Sequence, residues 1–392
     1  MRSCSRAADG RPIVIRAARV VTPGGVIEPG VVRIEDGTIA AVEHADGRST
    51  GDATLSGDVL MPGFIDLHMH GYGGHGFHRG QDDAREAVRR VATSGVTTCY
   101  AALGAGGSSA AIVAAVATVA EVVETDTGGA RLAGIFMEGP YISVEKKGMW
   151  NPEYLRSPHV EELQALIDAS GQTIRRVNVA PELPGAIEFV CAARNAGTTV
   201  SVGHSNATYD QARAAVAAGA TITTHTFNAM SQLEQREPGL VGATMTTDDL
   251  LAELILDGVH VHPATALVLW RARGPRGIAL ITDSAPMTGL PDGAYEFNGR
   301  DVVVRDGACR LADGTLAGSV SPFDRGLRIA ADLFGGTLVD LAAIAAGNAA
   351  RAMGIDDRTG AIAPGMDADL VLLDESLHIQ ATIVQGRVVY SR

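Results

Sequence analysis

Pro62-Gly63-Phe64-Ile65-Asp66-Leu67-His68-Met69-His70-Gly71 is the stretch on which the reading of this chain turns. An apolar run of strand length follows a Pro-Gly turn signal and ends in His-x-His. Successive side chains of a strand point to opposite faces, so His68 and His70 face the same way. Two imidazoles so spaced fit either a shared metal or a pair of packed structural histidines.

Seven further runs have the same texture: VTTCYA (96–101), RLAGIFMEG (131–139), RRVNVAPE (175–182), TTVSVGH (198–204), ATITTH (220–225), LLAELILDG (250–258) and GIALITD (277–283). Ala-rich amphipathic segments such as 158–170 and 210–219 alternate with them, the signature of βα units around a parallel sheet. Eight such units predict a (β/α)8 TIM barrel over residues 61–356, and enzymes with this fold collect their active sites at the C-terminal strand ends. Within it, the two strand-like runs of 293–315 read as a β-hairpin insertion. The chain ends, 1–60 and 357–392, are short alternating runs broken by Gly and Asp turns, and together they predict a small discontinuous β-sandwich domain.

Composition narrows the function classes. The 392 residues are 46% hydrophobic and 20% charged, as in a globular protein with a sizeable core. A net charge of -13 argues against a nucleic-acid surface, while a local cluster of cations remains able to hold a small anion. Cys4, Cys99, Cys191 and Cys309 show no CxxC spacing, which predicts a reducing cytoplasmic setting rather than a disulfide framework. No apolar stretch has the length of a membrane span or signal peptide.

The strand ends then settle the His-x-His question. Glu138, His204 and His225 close three of the runs and Asp283 closes the last. A carboxylate buried at a barrel mouth is costly unless something pairs with it, and a divalent cation satisfies several such groups at once. The joint reading is a metal-centred hydrolytic site with Glu138, His204, His225, His68 and His70 as ligands. Asp283 is then the group that takes a proton from water and passes it to a leaving amine. A catalytically empty scaffold is the weaker alternative, since every ligand-type position is filled.

Longer segments add specificity: MEGPYISVEKKGMWNPEY (137–154), VGHSNATYDQA (202–212), THTFNAMSQLEQREPGLVGA (224–243), LILDGVHVHP (254–263), LITDSAPMTGLPDG (280–293), LAGS (316–319) and the ending from GNAARAMGI to PGMDADLVLLD (347–374). Together with the opening motif they resemble the amidohydrolase superfamily, and more closely its N-acetylglucosamine-6-phosphate deacetylase branch, over nearly the whole chain. The resemblance implies Glu138, His204 and His225 as principal metal ligands, with His68 and His70 holding a second ion in some members. It implies Asp283 as the proton shuttle. Asn228, Ala229, Arg236 and His260 match positions that hold the sugar phosphate, and Leu316, Ala317 and Gly318 line the site. One or two divalent ions are implied, zinc first and iron, cobalt or manganese as alternatives, together with a homodimer in which one subunit reaches the phosphate of the other.

Trp150 departs from the family pattern. In KKGMWNP it occupies a position where the family usually carries His or Gln, and an indole donates one hydrogen bond but accepts none. This keeps open an N-acetylgalactosamine-6-phosphate deacetylase or a deacetylase of another N-acyl compound. His75, His78 and His262 read as structural or solvent-facing, and Cys99 as a small buried hydrophobe.

Overall fold

The computed structural model describes residues 13–45, 54–104 and 106–392; Cys4 and Pro12 lie outside the described residues. All eight apolar runs form strands: β1 (Phe64–Met69), β2 (Val96–Leu103), β3 (Arg131–Met137), β4 (Ile174–Val179), β5 (Thr199–Val202), β6 (Ile222–Thr223), β7 (Leu251–Ile255) and β8 (Ile278–Ile281). Each pairs in parallel with the next. The barrel closes where Asp283 N–H donates to His68 O at 2.9 Å and His70 N–H donates to Ser284 O at 2.8 Å. Closure therefore uses the backbone of the candidate site itself.

Helices α1 (Gln81–Val91), α2 (Ser109–Ala120), α3 (Val160–Ala169), α4 (Ala186–Asn195), α5 (Tyr209–Ala218), α6 (Gly239–Thr246), α7 (Pro263–Arg273) and α8 (Phe323–Phe334) follow the strands in turn. Their starts carry ordinary capping chemistry. Thr208 and Gln211 form a capping box on α5. His262 caps α7 by accepting from Ala264 N–H through Nδ1 at 3.1 Å, with Pro263 in the first turn. That gives His262 the structural role expected of it.

The chain ends meet in one eight-stranded sheet, joined where Leu55–Pro62 pairs antiparallel with Leu370–Leu373. Strict alternation lets both faces be buried. Leu60, Leu370 and Leu372 face a core shared with Ile15, Val32 and Ile383, whereas Val59, Met61, Val371 and Leu373 join the main barrel core. The 293–315 segment is more than a hairpin. Strands Gly293–Phe297 and Arg300–Arg305 pair as expected, and Ala308–Arg310 and Leu316–Ser319 extend them into a four-stranded antiparallel sheet. Its Asn298-Gly299 and Asp306-Gly307 turns have positive φ at both residues, the geometry that two-residue hairpin loops require. Its last strand bridges back to the barrel through Ser319 and Ser284. Among the described residues no helix is long and apolar enough to cross a membrane.

Phe64 shows how tightly strand and helix are packed. It is fully buried, its ring lies 5.1 Å from that of Phe323 on α8, and a Cβ at Gly95 would fall 2.6 Å from it. Phe64→Ala is expected to lower stability by about 3–5 kcal/mol in urea unfolding followed by circular dichroism. Val303→Ala, on the exposed face of the inserted sheet, should change it by less than about 0.5 kcal/mol.

Candidate metal centre

The ligand-type residues lie where strands give way to loops, and the backbone there is unusual. His204, His225 and Asp283 adopt φ of 49°, 32° and 50°. Left-handed backbone is unfavourable for residues with a Cβ and persists only where surroundings fix it. Here His225 N–H donates to Glu253 Oε2 at 3.2 Å, Ser319 N–H donates to Asp283 O at 2.8 Å, and Ser143 N–H donates to His204 O at 2.8 Å.

The side chains converge as the sequence predicts. Glu138 Oε1 lies 3.0 Å from His204 Nε2, 3.4 Å from His225 Nε2 and 3.5 Å from His68 Nε2, while Glu138 Oε2 lies 3.4 Å from His70 Nε2. Asp283 Oδ1 stands 3.3 Å from His68 Nε2 and 3.2 Å from His70 Nε2. Two triplets result, Glu138–His204–His225 and His68–His70–Asp283, and in each the donor atoms lie within 4.8 Å of one another.

Three observations fit these residues to a divalent cation. First, His204 Nε2 and His225 Nε2 are 3.0 Å apart, although His204 Nδ1 faces the carbonyl of Lys146 at 2.7 Å and so carries that ring's proton. Its Nε2 lone pair then points at another nitrogen and a carboxylate oxygen, an arrangement a cation relieves. Second, His68 Nε2, Glu138 Oε2 and Asp283 Oδ1 are buried without hydrogen-bond partners among the described residues. Third, His70 Nδ1 faces the carbonyl of Ala102 at 3.1 Å, which turns its Nε2 toward the centre.

The protonation states agree with this. Burial works against the charge on Glu138, but the imidazoles gathered around it, His204, His225, His68 and His70, hold its carboxyl well below the usual range. Burial likewise opposes ionisation of Asp283, and His68 and His70 overcome it. His68 resists charging through burial, yet Asp283, Glu138 and Glu253 lift it to about 9. A centre this rich in negative charge takes up protons that a cation displaces on binding.

The residues that the resemblance assigns to the substrate have the following settings. Asn228 and Ala229 follow His225, with Asn228 Nδ2 donating to His225 O at 3.3 Å and Ala229 at φ 49°. His260 is held by Asp257, Nδ1 to Oδ2 at 2.7 Å. Arg236 is exposed and has no hydrogen bond or ion pair among the described residues. Leu316, Ala317 and Gly318 form the strand beside Asp283, where Gly318 has φ 64° and a Cβ would fall 2.9 Å from Asp283 O. Trp150 is buried, its ring 5.9 Å from that of His70, and its indole carbons occupy the space a side chain at Gly104 would need. Cys99 is buried, and His75 pairs with Asp83 at 3.0 Å. His78 sits over Phe297 at 5.8 Å, and burial pushes its pKa down to about 4.

A sequence profile of the amidohydrolase family matches residues 59–389. This chain belongs to that family. An N-acetylgalactosamine-6-phosphate deacetylase of Escherichia coli O157:H7 is 37% identical over 96% of the chain and 98% of its own length. An N-acetylglucosamine-6-phosphate deacetylase of Bacillus subtilis is 34% identical over 96% and 97%. Among solved structures, a mutant N-acetyl-D-glucosamine-6-phosphate deacetylase of Mycobacterium smegmatis in complex with N-acetyl-D-glucosamine-6-phosphate superposes with a TM-score of 0.92. It is 34% identical and covers 97% of this chain and all of its own.

Beneath the centre this amidohydrolase holds buried polar and charged groups outside the expected site residues. Asp66, Arg176, Asn178 and Glu253 are fully buried within or beside the strands. Asp66 accepts from Thr282 Oγ1 at 2.5 Å and from the main-chain N–H of His68 and Thr282 at 3.2 Å each. Burial nonetheless pushes its carboxyl up to about 7. Asn178 Nδ2 donates to the carbonyls of Glu138 and Gly203, tying two ligand-bearing strand ends together at 3.1 and 3.2 Å. The signal was a charge inside an otherwise apolar parallel strand, as in IRRVNV and LAELIL, which has no cheap structural account.

Glu253 gives a pH prediction. Burial disfavours its charge, but Arg176 and His68 bring its carboxyl down from 4.5 to about 2. A depressed carboxyl stabilises the fold above its unfolded pKa and loses that contribution as pH falls toward 2. Arg176→Met leaves the charge unpaired and is expected to cost about 3–5 kcal/mol at neutral pH. In urea titrations at a series of pH values, that difference should shrink below about pH 4.5.

Proposed function

We propose that this amidohydrolase removes the acetyl group from N-acetylglucosamine 6-phosphate, giving glucosamine 6-phosphate and acetate. The observation that carries the reading is the pair of facing ligand triplets, built from strand ends of one barrel mouth. The Mycobacterium smegmatis complex with that sugar phosphate, alike over 97% of the chain, supports the substrate.

Glu138, His204 and His225 hold one divalent ion, and His68 and His70 with Asp283 border a second position. A cation there supplies Lewis-acid polarisation and makes water more acidic. Zinc suits the imidazole and carboxylate donors, as do iron, cobalt and manganese. Asp283, held ionised in the free protein, accepts a proton from the attacking water. The carbonyl carbon gains a C–O bond, the C–N bond breaks, and Asp283 returns the proton to the departing nitrogen. His260, oriented by Asp257, and Arg236, whose guanidinium is uncommitted, hold the phosphate. Asn228 and Ala229 contact the sugar, and Leu316, Ala317 and Gly318 shape its rim. Exposure of Arg236 is consistent with a homodimer in which it serves the neighbouring subunit's phosphate, and a cytoplasmic setting matches a sugar-phosphate substrate.

The 4-epimer, N-acetylgalactosamine 6-phosphate, is a second reading, favoured by the Escherichia coli relative and by Trp150 beside His70. Acetate release from both phosphorylated sugars and from unphosphorylated N-acetylglucosamine distinguishes them. Turnover should require the phosphate and should favour the glucosamine epimer; equal rates with and without phosphate would remove the role given to Arg236 and His260. Asp283→Asn is expected to lower kcat by about 10²- to 10⁴-fold. Arg236→Ala and His260→Ala should raise KM more than they lower kcat.

A further inference from the structure

Two charged side chains that the proposed chemistry does not use sit in the barrel interior, Arg176 on β4 and Glu253 on β7, both fully buried. Arg176 donates to Glu253 Oε1 and also to Ser201 Oγ at 3.1 Å and Thr224 Oγ1 at 3.0 Å. Its guanidinium carbon lies 3.9 Å from the centre of the Phe136 ring. One carboxylate oxygen of Glu253 is thereby committed to a rigidly held cation. The other, Oε2, accepts from His225 N–H at 3.2 Å and lies 3.6 Å from His68 Nδ1. At that separation the pair is an electrostatic contact rather than a formed hydrogen bond. His68 Nδ1 has no hydrogen-bond partner among the described residues, so Glu253 is the group it faces.

An ionised carboxylate can only accept, so it favours a hydrogen on Nδ1 and leaves the lone pair on Nε2. Nε2 is the atom that faces Asp283 at 3.3 Å and Glu138 at 3.5 Å. We propose that Glu253, locked in place by Arg176, is a positioning residue that fixes the tautomer of His68 and so decides whether that imidazole is available as a cation ligand. The same carboxylate secures the left-handed backbone of His225, so one buried ion pair supports both ligand triplets from below. This inference rests on the reading of the centre as a cation site.

Glu253→Gln tests it without changing volume. Arg176 has donors only, so the amide presents its oxygen to Arg176 and its NH₂ toward His68, and His225 N–H loses its acceptor as well, which makes the proton position on His68 the deciding readout. His68 must then offer a lone pair at Nδ1 and carry its proton on Nε2. The expected result is a loss of about 10- to 100-fold in zinc affinity, measured by competition with a chromophoric chelator. It should come with disappearance of the His68 Nδ1–H resonance from nitrogen-edited NMR of the zinc-loaded protein. Arg176→Lys keeps the positive charge and should retain that resonance. A purely structural role would lower stability without moving the proton. Glu253→Gln protein that folds and keeps wild-type zinc affinity and the Nδ1–H resonance overturns the inference. If that variant does not fold, zinc-loaded wild-type protein decides: a proton on His68 Nε2 overturns the inference, and one on Nδ1 upholds it. Wild-type protein that takes up no zinc overturns the cation reading itself and this inference with it.

Discussion

Glu138 carries a carboxylate that is buried at the barrel mouth and has four imidazole nitrogens within 3.5 Å, from His68, His70, His204 and His225. Acceptors and lone pairs gathered this closely repel one another unless positive charge is shared among them. In the free protein protons supply part of that charge, most visibly on His68. The rest of the architecture serves to hold this unfavourable gathering in place. Strands β1, β3, β5, β6 and β8 each bring a ligand-type group to one end of the barrel. The left-handed turns at His204, His225 and Asp283 aim them inward.

Below that layer a second set of buried charges keeps the first in register. Arg176 and Glu253 neutralise each other, and Glu253 also reaches His68 and the backbone of His225. Asp66 binds the main-chain N–H groups of His68 and Thr282, the two chain segments at which the barrel closes. Buried charges of this kind add little net stability compared with apolar packing, but removing one partner strands the other. Their effect here is positional. They link the ligand geometry to the sheet, so displacing a ligand also breaks a buried pair.

Two additions to the plain barrel pack against the centre. The four-stranded insertion brings Phe297 to within 5.5 Å of the His70 ring, and its Arg300 holds the 144–155 loop through Met149 O at 2.6 Å. That loop also brings the Trp150 ring to 5.9 Å from that of His70. His70 therefore has two apolar rings near it where the family resemblance leads one to expect a polar side chain at position 150. The indole is packed against Gly104, where a Cβ would fall 2.1 Å from its ring.

The amino-acid sequence alone determined the eight strands, their order and the six side chains of the centre. Each is a local fact: an apolar run of strand length, ended in five of the eight by a residue of the centre whose side chain binds cations. The insertion at 293–315 was legible in part, as two strand-like runs that break the alternation. The rest was decided by tertiary structure, because it depends on separations of tens to hundreds of residues in sequence. Arg176 meets Glu253 across 77 positions, and Ser319 returns to Ser284 to extend the hairpin into a four-stranded sheet. A charged residue inside an apolar strand announces that it must be compensated, but only the closed barrel brings in the partner. Which nitrogen of His68 faces the ligands is settled in the same way, by a carboxylate from a strand six places on.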